Sequence, residues 1–238
     1  MRFEISPLGD SAVRISFGNT INEKVNRQIT YFLNKLEQGR VKGIIECVPA
    51  YTTLAIYYEP DVISFEALIK QLKTIDQSSE VFRQDRRLVY EIPVCYGGEY
   101  GEDLGFVAEY HGLGEQKVID LHGDREYLIY MMGFMPGFPY LGGLPDNLAV
   151  PRLENPRQSV KPGAVGIGGN QTGIYPADVP SGWRIIGTTP VNLFSPEKRE
   201  PFLLSSGHYI KFVPINEEQF LSIKKMGENY QVKTYEKR

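Results

Sequence analysis

Gly133-Phe134-Met135-Pro136-Gly137-Phe138-Pro139-Tyr140-Leu141-Gly142-Gly143-Leu144-Pro145 sets four glycines, three prolines and three aromatic rings in one short run. That density of Gly and Pro rules out a helix and argues against a regular central strand. The run is also too apolar for an ordinary solvated loop. A rigid, ring-bearing turn of this kind has three readings: one wall of a pocket, a face offered to a partner, or a plug for the end of a barrel.

Glycine placement outward from this run divides the chain. Of 24 glycines, 18 lie between Gly97 and Gly187, so the first third is the more regular part. There, two strands over 3–8 and 12–17 flank the Gly9-Asp10 turn. Thr20 and Glu23 have capping-box spacing, and Val25, Ile29, Phe32, Leu33 and Leu36 then recur with helical period up to a stop at Gly39. Strands over 44–48 and 53–58 follow, and a second helix starts near Ser64. This order predicts a two-layer α/β sandwich over residues 1–84, ending in a polar linker, Gln77–Arg87.

From Leu88 the pattern changes to a strand ending at Pro93, then two short helices over 103–111 and 115–122. Short β-runs with frequent turns follow (127–132, 164–168, 173–175, 183–189 and 209–213), which predicts a barrel or sandwich over 85–215. The tail, 216–238, carries Phe220, Leu221 and Ile223 as a candidate docking helix.

With 42% hydrophobic and 23% charged residues the 238-residue chain reads as globular. A net charge of −3 gives no pull toward nucleic acid. No apolar run approaches the ~18 residues of a membrane span, and no secretory h-region opens the chain, so a cytoplasmic location is expected. Cys47 and Cys95 lack metal-binding spacing and read as buried free thiols. Walker, Rossmann, nucleophile-elbow, HExxH and EF-hand patterns are missing, so no self-sufficient catalytic centre is indicated and no metal or organic cofactor is expected. Gly166-Ile167-Gly168-Gly169 reads as close backbone packing or a bulge.

The remaining polar residues concentrate in the second half. Arg152 and Arg157, each following a proline, form either an anion grip or surface ion pairs. His122, closing a short helix, is either a proton shuttle or a C-terminal cap. Trp183, after Pro180-Ser181-Gly182, borders a pocket or packs in the core. Tyr175 offers a hydroxyl to that pocket or packs with it satisfied. Gln171 and Thr172 lie at a turn.

Several motifs occur in order: Gly9-Asp10-Ser11-Ala12, Pro49-Ala50-Tyr51, Pro93-Val94-Cys95-Tyr96-Gly97-Gly98, Asp103-Leu104, the 133–145 run, Pro151-Arg152, Gln171-Thr172-Gly173-Ile174-Tyr175-Pro176 and Gly182-Trp183. Over about residues 1–214 this series resembles the KipI family, which includes the B subunit of 5-oxoprolinase and the small subunit or domain of allophanate hydrolase and urea carboxylase systems. The resemblance implies an N-terminal α/β sandwich and a cyclophilin-like β-barrel, a fold likeness that confers no prolyl isomerase activity.

It implies partners as well: the KipA-like C subunit and the A subunit of an ATP-dependent 5-oxoprolinase, with ATP bound mainly outside this chain. A further implied activity is inhibition of a sporulation sensor histidine kinase through its dimerisation and phosphotransfer helices. The resemblance implies that His122, the rings of Phe134, Phe138 and Tyr140, Arg157, Gln171 and Tyr175 share a pocket facing the partner subunit; from their chemistry, His122 is expected to move protons there and Arg157 or Arg152 to stabilise developing negative charge. Phe134, Phe138, Tyr140, Arg152, Gln171, Tyr175 and Trp183 are expected to bind substrate or partner. Three positions depart from the family pattern: Ser181, Lys161-Pro162 and His208.

Overall fold

A computed structural model of the protein describes residues 3–75 and 86–237. The chain falls into two compact units, 1–85 and 86–238. Most of the expected linker, Gln77–Asp85, lies outside the described residues.

In the first unit, β1 (Glu4–Pro7), β2 (Ala12–Ser16), β3 (Ile44–Pro49) and β4 (Thr53–Tyr58) form an antiparallel sheet ordered β1-β2-β4-β3. Val13, Ile15, Leu54 and Ile56 alternate inward, as period-two burial requires. They pack with Ile29, Phe32 and Leu36 of α1 (Glu23–Gly39) and Leu68 and Leu72 of α2 (Phe65–Lys73). Two details at the ends of α1 differ from expectation. The cap is Asn22, which accepts from Val25 N at 2.9 Å, because an Asx side chain reaches the open amides from that position as well as Thr20 would. The left-handed residue closing the helix is Arg40, φ 41°, one past Gly39.

The second unit is built on β5 (Leu88–Tyr96), β6 (Glu126–Met132), β7 (Pro139–Gly142), β9 (Ala164–Gly168), β10 (Gln171–Ile174), β12 (Arg184–Thr188) and β13 (Tyr209–Pro214), with β14 (Lys233–Glu236) added on β5. Among the described residues the path runs β10-β9-β12-β5-β13-β6-β7, and its two end strands lie side by side, giving a nearly closed, barrel-like sheet. Ile92, Tyr127, Ile129, Val165, Ile186, Ile210 and Phe212 fill its interior. A small ribbon of β8 (Arg157–Val160) and β11 (Val179–Ser181) stands apart from the main sheet. α3 (Leu104–Tyr110), α4 (Glu115–Gly123) and α5 (Glu217–Met226) complete the unit, α5 burying Phe220 while Leu221 stays exposed. No helix among the described residues is long and apolar enough to cross a membrane.

One proline-containing strand contradicts the sequence expectation and a second was not foreseen, each for a physical reason. β5 runs through Pro93 to Tyr96 instead of ending at the proline. On one flank of β5, β14 pairs with residues 88–91 and β12 with 95–96, so Pro93 falls in the gap where no ladder bond needs its missing N–H. The 133–145 run holds β7, hydrogen-bonded to β6 with Met132 opposite Pro139. Pro139 is tolerated as the first residue of a strand at the end of the path. Arg87, expected in the solvated linker, is instead buried, with its guanidinium donating to the Tyr209 hydroxyl at 3.3 Å.

Candidate functional site

The loop between β6 and β7 is a tightly cross-bonded hairpin end. Phe138 N donates to Met135 O at 3.1 Å around Pro136 and Gly137, whose φ of 85° suits the third position of a type II turn. Gly133 N donates to Phe138 O, closing the hairpin. Met135 N donates to Gly133 O at 2.7 Å, making a three-residue turn centred on Phe134. Phe134 there has φ 64°, a left-handed conformation a β-carbon disfavours, and its ring is 63% exposed.

This hairpin forms one side of a cleft of about 190 Å³. Phe138, 2% exposed, is the hub of its floor: its ring lies 5.2 Å from Tyr140, 5.4 Å from Tyr175, 5.9 Å from Trp183 and 5.6 Å from Phe134, all edge-on. Such edge-to-face pairs fix the rings beyond what area burial alone would do. The glycine-rich β9 makes room for the indole, since a β-carbon on Gly168 would overlap Trp183 Cδ1. Arg152 stands at the rim with Cζ 5.9 Å from the Trp183 ring centre. Gln171, at the start of β10, lines the same space.

All seven residues expected to bind substrate or partner (Phe134, Phe138, Tyr140, Arg152, Gln171, Tyr175 and Trp183) therefore meet at one place. Ser181, noted in the sequence only as a departure, joins them. Its Oγ is 2.5 Å from the Tyr175 hydroxyl and accepts from Trp183 N at 3.0 Å, so it locks the two rings to each other. Burial raises the Tyr175 pKa, against opposing effects of the Ser181 bond and the Arg152 charge. The other departures lie elsewhere: Lys161 pairs with Asp178 on the surface, and His208 Nδ1 accepts from Leu88 N at 3.1 Å.

The two residues expected in catalytic roles are not in the cleft. His122 is fully buried in the barrel, its ring stacked 4.4 Å from Phe212. Thr172 Oγ1 donates its single proton to Gly166 O at 3.0 Å, so it accepts from His122 Nε2 at 2.9 Å. That assigns the proton to Nε2 and leaves Nδ1 to accept from the Tyr96 hydroxyl at 2.7 Å. Burial pushes the imidazole pKa down to about 3, so the ring is neutral and both nitrogens are occupied. Neither a shuttle to bulk solvent nor a charged helix cap fits this environment.

Arg157 is committed to carboxylates. Its Nη2 meets Asp103 Oδ2 at 2.9 Å, its Nε meets Glu102 at 2.8 Å, and Nη1 donates to Trp183 O at 3.3 Å. Buried Asp103 also accepts from Ile185 N at 2.7 Å and faces Arg184 at 3.6 Å. Nothing in the sequence around Asp103 marks it as the hub of contacts with residues more than fifty positions away. Among the described residues no cluster of three or more His, Cys, Asp or Glu is arranged to hold a metal ion.

This barrel with an aromatic cleft is the product of a known family: the chain belongs to the carboxyltransferase domain, subdomain C and D, family, which it matches over residues 3–204. Within that family its similarity is to B subunits of 5-oxoprolinase. It is 43% identical to the 5-oxoprolinase B subunit of Bacillus subtilis (strain 168), across 94% of this chain and 98% of that one. Among solved structures, TTHA0988 superposes with a TM-score of 0.77 at 36% identity over 86% of this chain, which spans 40% of TTHA0988. The urea amidolyase of K. lactis, 18% identical with a TM-score of 0.76, shares the fold; this chain spans 16% of it.

Proposed function

We propose that this chain is the B subunit of an ATP-dependent 5-oxoprolinase, a complex that converts 5-oxo-L-proline, ATP and water to L-glutamate, ADP and phosphate. The observation that carries the proposal is the 43% identity to a 5-oxoprolinase B subunit along 94% of the chain. The cleft supports it by size and chemistry. The cleft, about 190 Å³ and walled by aromatic rings, suits one small flat ring.

In this reading ATP binds outside this chain, on the KipA-like C subunit, on the A subunit, or between subunits. Phosphorylation of the lactam oxygen makes the ring carbon electrophilic toward water. The aromatic walls of this chain orient the lactam ring and keep stray water from the activated carbon. His122 and Arg157 act at one remove, the first by pinning β10 beneath Gln171, the second by holding the Trp183 turn.

The test is reconstitution. Oxoproline-dependent formation of glutamate and ADP appears only when both partner subunits are added, and an allophanate-type substrate does not replace oxoproline. Turnover by the isolated chain overturns the composite site, and none from the full complex overturns the assignment.

A second reading, inhibition of sensor histidine kinase autophosphorylation, draws on Phe134, whose exposed ring caps a strained turn. Phe138 is buried too deeply to touch a kinase helix. On this reading Phe134→Ala relieves inhibition, and unchanged inhibition places the interface elsewhere.

A further inference from the structure

One arginine, Arg152, lines the aromatic cleft, and two more, Arg157 and Arg184, lie outside it with different commitments. Arg157 and Arg184 both turn to Asp103, at 2.9 and 3.6 Å. Arg152 forms no ion pair among the described residues. Its guanidinium is held over the Trp183 face at 5.9 Å, at the mouth of a cleft whose lining includes no acidic residue. A cation placed over an indole keeps its fork of N–H donors free for a planar anion. The site therefore selects a negative group at the rim and a flat apolar body against the rings below.

Resting on the oxoprolinase reading, we propose that Arg152 is the specificity residue of this site: it grips the carboxylate of the lactam substrate bidentately, while the ring lies against Trp183 and Phe134. The lactam carbonyl carbon lies two ring bonds from the carbon that bears the carboxylate, and a partner subunit delivers the activated phosphoryl group to its oxygen while the guanidinium stays engaged with the carboxylate. Arg152 thus reads substrate identity and takes no part in stabilising charge on the lactam oxygen.

Trp183 is the only tryptophan of the chain, so its fluorescence reports on this cleft alone. The isolated chain is titrated with 5-oxo-L-proline and with 2-pyrrolidinone, the same ring without a carboxylate, in wild-type, Arg152→Gln and Arg152→Lys forms. Circular dichroism melts confirm that the exposed substitutions leave the fold intact. The wild-type chain binds oxoproline more tightly than pyrrolidinone. Arg152→Gln weakens oxoproline binding roughly 10- to 100-fold, the usual worth of a charge-assisted bond, without moving pyrrolidinone binding. Arg152→Lys recovers part of the loss, because the charge remains and the fork does not.

In the reconstituted complex Arg152→Gln raises KM for oxoproline by a similar factor and leaves kcat close to wild type. Equal oxoproline affinity in wild type and Arg152→Gln, or no Trp183 response to oxoproline in the wild-type chain, overturns the proposal. A wild-type complex without oxoproline-dependent turnover overturns the functional reading instead, while the titrations still decide the role of Arg152.

Discussion

Acidification tests the buried histidine directly. The folded chain holds His122 neutral with a pKa of about 3, whereas an unfolded histidine titrates near 6.5. Between these values the unfolded chain binds a proton that the folded chain refuses, so stability rises with pH across that window. The contribution is fully present above about pH 6.5 and is lost progressively as pH falls toward 3. Each pH unit below 6.5 costs about 1.4 kcal/mol, so moving from pH 7 to pH 5 removes about 2 kcal/mol through this one group. Against a typical domain stability of ~5–15 kcal/mol that is a visible fraction.

The assay is urea unfolding followed by Trp183 fluorescence, which reports on the second unit, for the wild type and His122→Gln at both pH values. A glutamine offers an amide to Thr172 but cannot titrate. It lowers stability at pH 7, and its stability falls by about 2 kcal/mol less than that of the wild type between pH 7 and 5. Equal pH dependence in the two proteins refutes the claim that His122 is held neutral by burial.

Three further outcomes follow from the same geometry. Asp103→Ala removes the carboxylate that two largely buried guanidinium groups share and the acceptor of the Ile185 amide, and lowers the stability of the second unit by about 3–5 kcal/mol in the same unfolding assay. Phe134→Gly relieves a left-handed backbone and removes an exposed ring, so the unfolding free energy changes by less than about 1 kcal/mol while lactam binding, read by Trp183 fluorescence, weakens. Gly168→Ala drives a methyl against the indole and costs ~1–3 kcal/mol, with a shift in Trp183 emission that marks the displaced ring.

The residues that make the cleft were legible because their types are unusual where they stand. Rings in a Gly/Pro turn, a proline-led arginine and a tryptophan after Pro180-Ser181-Gly182 all carry chemistry that loops seldom need. The strand inside the 133–145 run was hidden by its own prolines, since only the sheet shows that Pro139 begins an end strand. His122 was misread for a related reason: a histidine at a helix end looks accessible until Tyr96, Thr172 and Phe212, brought from three other strands, close around it. Asp103 and Ser181 gained their importance from partners distant in sequence or from a turn that folds back, neither of which spacing alone encodes.

The central claim is that this chain contributes the cleft to a site shared with other subunits. It is tested most directly by titrating the chain into fixed amounts of its partner subunits and measuring oxoproline-dependent ADP release. Activity is predicted to rise from zero to a plateau at stoichiometric addition, and a folded Trp183→Leu chain is predicted to compete for assembly without supporting turnover. Turnover in the absence of this chain, or full activity with the Trp183→Leu chain, contradicts the account.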